Sequence, residues 1–200
     1  MPIILEEIWT VQTYIVMFAA GCPEQYRPCQ CSFCGTDRKQ HHHSHYSRTV
    51  YALMEAYLIT VYRFQCSVCG KTQGLLPSFV GSHQPVAFDV QEQAVKQHSE
   101  GMSLAEIAES LTAAGSPYCE KTIWRWTSCW HERLENLGSV VWEQALKLCP
   151  HLEFPKGASK PHSEWGWLFI AWDQVKAAHP IENLLSWLYR RRFSLATAPG

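Results

Sequence analysis

Cys29-Gln-Cys31-Ser-Phe-Cys34-Gly35 and, after 30 intervening residues, Cys66-Ser-Val-Cys69-Gly70 are the stretches that constrain this chain most. A C-x-x-C pair on a tight turn offers two sulfurs to one cation. Two such turns complete a tetrahedral shell, with metal–sulfur distances of about 2.3 Å. Glycine follows the second cysteine of both pairs, which permits a left-handed backbone that turns amide N–H groups toward the sulfurs. The spacing favours one structural zinc on Cys31, Cys34, Cys66 and Cys69. Four buried free thiols and a redox-active pair are the alternatives. Four thiolates leave no open coordination position, so a catalytic zinc is not expected. Cys29 offers a competing ligand through Cys29-x-Cys31. His41, His42, His43 and His45 could also substitute or hold a second ion, although a solvated loop is the plainer reading of that run.

Between the pairs, Val50 to Phe64 is rich in Val, Tyr, Leu and Ile and can supply strands. Ala52 to Tyr57 also suits a helix. Pro77 and the segment Gly81 to Pro85 then punctuate the chain. Residues 1–80 are therefore expected to form a small zinc ribbon.

Residues 86–137 carry helical text of a different kind. Asp89-x-x-Glu92 is a plausible capping pair ahead of Val90, Ala94 and Val95. Ser103-x-x-Glu106 is a clean capping box opening a helix with Leu104, Ile107, Ala108 and Leu111 on one face, closed by Gly115. A third helix starts between Ser116 and Glu120, with the stripe Ile123, Trp126, Trp130, Leu134, Leu137 at helical spacing. Three short helices punctuated in this way suit a helix-turn-helix module. Its third helix would present Lys121, Arg125, Ser128 and Glu132 outward, flanked by Thr122 and Trp124. An ordinary three-helix bundle with a polar surface is the competing reading. Residues 138–200 form a Trp-rich helical region, with patterns at 139–148, 163–178 and 181–192 separated by prolines and a frayed tail at 194–200. The whole reads as an α+β chain.

The bulk composition bounds the function. Hydrophobic residues at 46% exclude a disordered chain, and a net charge of −1 argues against a generic polyanion binder. The charge is unevenly distributed. Residues 29–80 hold five basic side chains against two acidic, a balance of +3, whereas residues 81–137 hold four against eight, a balance of −4. Nine cysteines would suit a disulfide scaffold in a secreted protein. However, Glu6 and Glu7 stand where a basic leader segment would be, and the apolar stretch Ile8 to Ala20 is too short to span a bilayer. A cytoplasmic chain without membrane attachment is expected, and there paired cysteines bind metal.

The ordered set Cys-x-x-Cys-Gly, His45-Tyr46-Ser47-Arg48, Arg63-Phe-Gln-Cys66-Ser-Val-Cys69-Gly-Lys-Thr72 and Leu76-Pro77 resembles the zinc ribbons of bacterial insertion-sequence proteins. Gly101-Met-Ser-Leu-Ala-Glu-Ile-Ala108 and Lys121-Thr-Ile-Trp-Arg-Trp126 resemble the helix-turn-helix that such ribbons precede. The resemblance covers residues 29–137 and implies recognition of double-stranded DNA, at transposon ends, as part of a transposase or as a small companion to one. Lys121, Thr122, Arg125, Ser128 and Arg48 are the candidate DNA contacts. A DDE transposase needs an RNase H-like domain with three carboxylates holding two metal ions, and the 63 residues after Leu137 are too few for it. The chain is therefore read as non-catalytic. A separate transposase or a second copy of the chain is the expected protein partner, with the Trp-rich region as a docking surface or a helical cap. A transcriptional regulator of the same architecture and a protein-interaction adaptor are the competing functions; the acidic middle region favours the adaptor.

Overall fold

The computed structural model describes residues 2–5, 10–157 and 160–195, with side chains as far as residue 191. The expectations for Glu6, Glu7 and Ile8, for the last part of the tail and for the Arg192 side chain lie outside these residues. The chain divides into two units, Met1–Tyr51 with Ala56–Ala87, and Ala52–Glu55 with Phe88–Gly200.

The first unit is built on a four-stranded sheet of β1 (Ile3–Leu5), β2 (His41–Tyr51), β3 (Ala56–Gln65) and β4 (Thr72–Pro77), in the order β1-β4-β3-β2. β2 and β3 form an antiparallel hairpin from His41↔Gln65 to Tyr51↔Ala56, with a bulge between His42 and Ser44. The β3–β4 pairing is also antiparallel, through Arg63↔Gly74 and Gln65↔Thr72, and β1 joins β4 in parallel. The histidine run is thus strand, not the expected loop. Residues 52–57, which also suited a helix, form the turn and the start of β3.

Side chains alternate across a strand, so the sheet has two distinct faces. One is covered by helix α1 (Val11–Phe18), opened by Thr10, whose hydroxyl accepts the Thr13 N–H at 3.1 Å. The Tyr14 hydroxyl donates to the Thr60 carbonyl at 2.6 Å, and Phe18 packs 5.8 Å from the ring of Tyr62. Burial pushes the Tyr14 phenol far above its ordinary range. On the opposite face Val50, Ile59 and Val61 are fully buried. Arg48, paired with Ile59, donates to the carbonyls of Gly81 and Gln84 there.

The second unit is helical: α2 (Phe88–Ser99), α3 (Leu104–Ala113), α4 (Glu120–Leu148), α5 (Glu164–Ala178) and α6 (Leu184–Leu195). α2 packs against each of the other four. The α3 capping box forms as read, with the Ser103 N–H donating to Glu106 at 2.8 Å and the Glu106 N–H to the Ser103 hydroxyl at 3.3 Å. Asp89 and Glu92 do not cap α2; both lie inside it. Asp89 accepts from the Leu53 and Val90 amides, and Glu92 from the Leu185 amide at 2.8 Å.

The expected boundary at residue 137 falls inside α4, which runs unbroken for 29 residues. Its buried stripe is Ile123, Thr127, Trp130, Leu134, Gly138, Val141 and Ala145. A Cβ at Gly138 would lie 3.0 Å from Glu164 Oε1, so glycine here admits a close approach of α5 and does not end the helix. Trp130 anchors the core: its ring meets Phe88 edge-on at 5.6 Å, and its indole N–H donates to buried Gln91 at 2.9 Å. Trp126, expected on the buried stripe, is only half-buried and packs edge-on against Tyr118 at 4.8 Å. Trp172 of α5 and Trp187 of α6 pack 5.3 Å apart. Among the described residues no helix is long and apolar enough to cross a membrane.

Candidate functional site

The two cysteine pairs fold into turns of the same geometry. In the first, the Cys31 N–H donates to Thr36 O at 3.0 Å and the Gly35 N–H to Cys31 O at 2.9 Å. In the second, the Cys66 N–H donates to Lys71 O and the Gly70 N–H to Cys66 O, both at 3.0 Å. Gly35 and Gly70 take φ of 69° and 70°, a left-handed conformation in which a side chain is strained. Each turn aims an amide at its first sulfur: Phe33 N–H to Cys31 Sγ and Val68 N–H to Cys66 Sγ, both 3.4 Å. The second turn closes the β3–β4 hairpin, and the first closes a small bridge between Gln30 and Asp37.

These turns bring all four sulfurs within 4.8 Å of one another. Cys31 Sγ lies 3.7 Å from Cys69 Sγ, and Cys34 Sγ lies 3.8 Å from Cys66 Sγ. A tetrahedron of thiolates around zinc has sulfur–sulfur edges of about 3.8 Å. The donor set and its spacing therefore fit one tetrahedral cation. The group contains neither Cys29, which is exposed, nor any histidine of the 41–45 run.

Protonation follows the same geometry. Desolvation raises the Cys31 thiol, but the Phe33 and Cys34 amides and the neighbouring thiols outweigh it and bring the group down to about 6. The Cys69 and Val68 amides lower Cys66. At Cys34 the Thr36 amide pulls down, yet desolvation and the adjoining thiols push the group up to about 11. Ready ionisation of two of the four is the state that a metal ion requires.

Sequence reading missed the residues that hold the first turn against β4. Gln73 is buried. Its side-chain oxygen accepts from the Ser32 hydroxyl at 2.6 Å and the Ser32 amide at 3.3 Å, and its amide nitrogen donates to Gln30 O. Gln40, also buried, donates to the same carbonyl at 2.7 Å. Such outer bonds orient metal ligands. Their only sequence signal is that Gln73 falls on a strand directly after the second turn. Lys71 sits 5.1 Å over the ring of Phe33, a further tie between the turns.

The candidate DNA contacts are dispersed. On α4, Lys121, Arg125, Ser128 and Glu132 are exposed along one face as expected, with Trp124 beside them at 56% exposure. Thr122 is half-buried, its hydroxyl 3.4 Å from Cys119 Sγ. Arg48 lies in the first unit, its guanidinium engaged by the Gly81 and Gln84 carbonyls. Arg190 is held by buried Glu182, and Arg191 packs 5.1 Å over Trp187. Compared with protein-family models, curated proteins and solved structures, the chain matches none.

Proposed function

We propose that this chain is a non-catalytic, zinc-containing DNA-binding protein of a mobile element, acting at double-stranded DNA such as transposon ends beside a separate transposase or a second copy of itself. In this reading the first unit is a zinc ribbon. The second presents α4 as the recognition helix of a helix-turn-helix formed with α3, inside the cytoplasm. The observation that carries the reading is the four-sulfur cluster, all within 4.8 Å of one another, with two opposite edges of 3.7 and 3.8 Å, a spacing compatible with tetrahedral zinc. Sulfur-only tetrahedral sites select zinc or iron among common metals, and closed four-thiolate sites are structural.

Lys121 and Arg125 stand one turn apart, so a helix laid in the major groove would offer both together. A bidentate Arg–guanine contact is worth about 1–3 kcal/mol of base discrimination. Arg125→Ala should accordingly weaken specific binding about ten- to a hundredfold and flatten preference at one base position. The test is selection of bound fragments from random DNA with zinc-loaded protein, then a binding series on single-base variants at fixed salt. Unchanged affinity and preference in folded Lys121 and Arg125 variants would remove α4 as the reader. Exposed Trp124, on a helix surface that also carries Glu120, Glu132 and Glu135, favours a second reading as a protein-docking adaptor, which would then lead.

A further inference from the structure

The sheet face that carries Arg48 also holds an unassigned cavity of about 410 Å³, within the size range of small-molecule sites. Arg63, Thr72 and Gly74 from β3 and β4, Tyr46 from β2, and Ser82 and His83 from the following turn line it. None of its lining residues is acidic. The Arg63 side chain makes no hydrogen bond or ion pair with any other described residue, whereas that of Arg48 on the same face is held by two carbonyls. A guanidinium in a concave site without a carboxylate is a fork of donors suited to phosphate oxygens.

The surroundings are built to keep that fork accessible. Gly74 lies directly opposite Arg63 in the β3–β4 register, and a Cβ added there would meet nothing within 4 Å. The glycine leaves space that any other residue would fill. His83 is held at φ 62°, an uncommon conformation outside glycine, on a turn clamped by the Arg48 bonds to Gly81 and Gln84. The clamp fixes Ser82 and His83 at the rim. Tyr46 is 45% exposed and offers a ring face on which a base can stack.

We infer that this cavity binds a nucleoside phosphate, with the phosphate on Arg63 beside His83 and the hydroxyls, and the base against Tyr46. The ligand is either a free nucleotide or a nucleotide unit of a DNA strand. The inference extends the nucleic-acid reading to the first unit, and its test is separable from that of α4 because Arg63 and Arg125 lie on different units.

The experiment is titration of the full, metal-loaded chain with inorganic phosphate, thymidine monophosphate, a short single-stranded oligonucleotide and a duplex. Calorimetry gives the affinity, and the Arg63 side-chain N–H signal in NMR reports the site directly. The expected result is saturable binding of thymidine monophosphate or of the single strand, with a shift of the Arg63 signal. Arg63→Gln should weaken it about ten- to a hundredfold, as loss of a hydrogen bond to a charged group does. Gly74→Val, which fills the cavity and leaves the guanidinium in place, should weaken it comparably, and Arg63→Lys less. Binding of the monophosphate identifies a free nucleotide, and binding of the strand alone identifies a nucleic-acid subsite. Metal content and the thermal transition of each variant establish its folding. Absence of saturable binding by every probe overturns the inference. So does binding that leaves the Arg63 signal unmoved, or that the two weakening variants, once folded, do not change.

Discussion

Glu92→Gln should stabilise the second unit by an amount that grows as pH rises from about 4.5 to about 7. The Glu92 carboxyl is largely enclosed between α2 and α6, where burial pushes its pKa from 4.5 up to about 7. The Leu185 amide, Lys176 and Lys96 pull it down, and Asp173 adds to the rise. An acid whose folded pKa is raised binds its proton more tightly folded than unfolded, so stability falls as pH rises from about 4.5 to about 7. At roughly 1.4 kcal/mol per pH unit that displacement corresponds to a loss of up to about 3 kcal/mol by pH 8. Glutamine carries no charge to desolvate, and its oxygen can still accept the Leu185 N–H. The substitution should therefore be neutral at pH 4.5 and gain up to about 3 kcal/mol at pH 8. Eight of the nine tryptophans lie in the second unit, so urea denaturation followed by tryptophan fluorescence reads it directly. Taking the difference between the two proteins cancels every other titration. Parallel pH profiles for the two would refute the reasoning.

Gly70→Ala meets open space but must hold φ near 70°, so it should cost the first unit about 1–2 kcal/mol, and Gly70→Asn less, as read by thermal denaturation. Cys66→Ser should lose the metal and unfold the sheet by circular dichroism, whereas Cys22→Ser and Cys149→Ser, outside the four-sulfur cluster, should keep both. Trp130→Ala should destabilise by about 3–5 kcal/mol and half-buried Trp126→Ala by clearly less, in the same denaturation assay. Pure protein should neither nick nor join DNA with Mg²⁺ or Mn²⁺; cleavage abolished by a carboxylate substitution in this chain would contradict the non-catalytic reading.

The two cysteine turns were legible because each is written in five consecutive residues, and backbone geometry does the rest. The Ser103–Glu106 box was legible for the same reason. What failed was long-range. His41 to Tyr46 gives no period-two signal because edge strand β2 exposes nearly all of that stretch, so strand resembles loop there. The boundary expected at residue 137 falls inside one uninterrupted helix, where Gly138 lies close against the Glu164 carboxylate, a contact that local sequence does not announce. Asp89 and Glu92 matched a capping spacing while serving as acceptors for amides 36 and 93 residues away. Trp126 fitted the helical stripe, but the buried positions 123, 127, 130 and 134 pass one residue beside it. The Arg63 cavity was invisible because its walls come from β2, β3, β4 and the 81–84 turn, which only the register of the sheet brings together.

The four-sulfur centre is tested most directly by counting metal in chain purified without added metal and colourless by absorbance. Mass-spectrometric analysis should find one zinc per chain, released by a chelator together with the structure of the sheet unit. A chain that carries no metal and yet keeps that sheet folded would contradict the account.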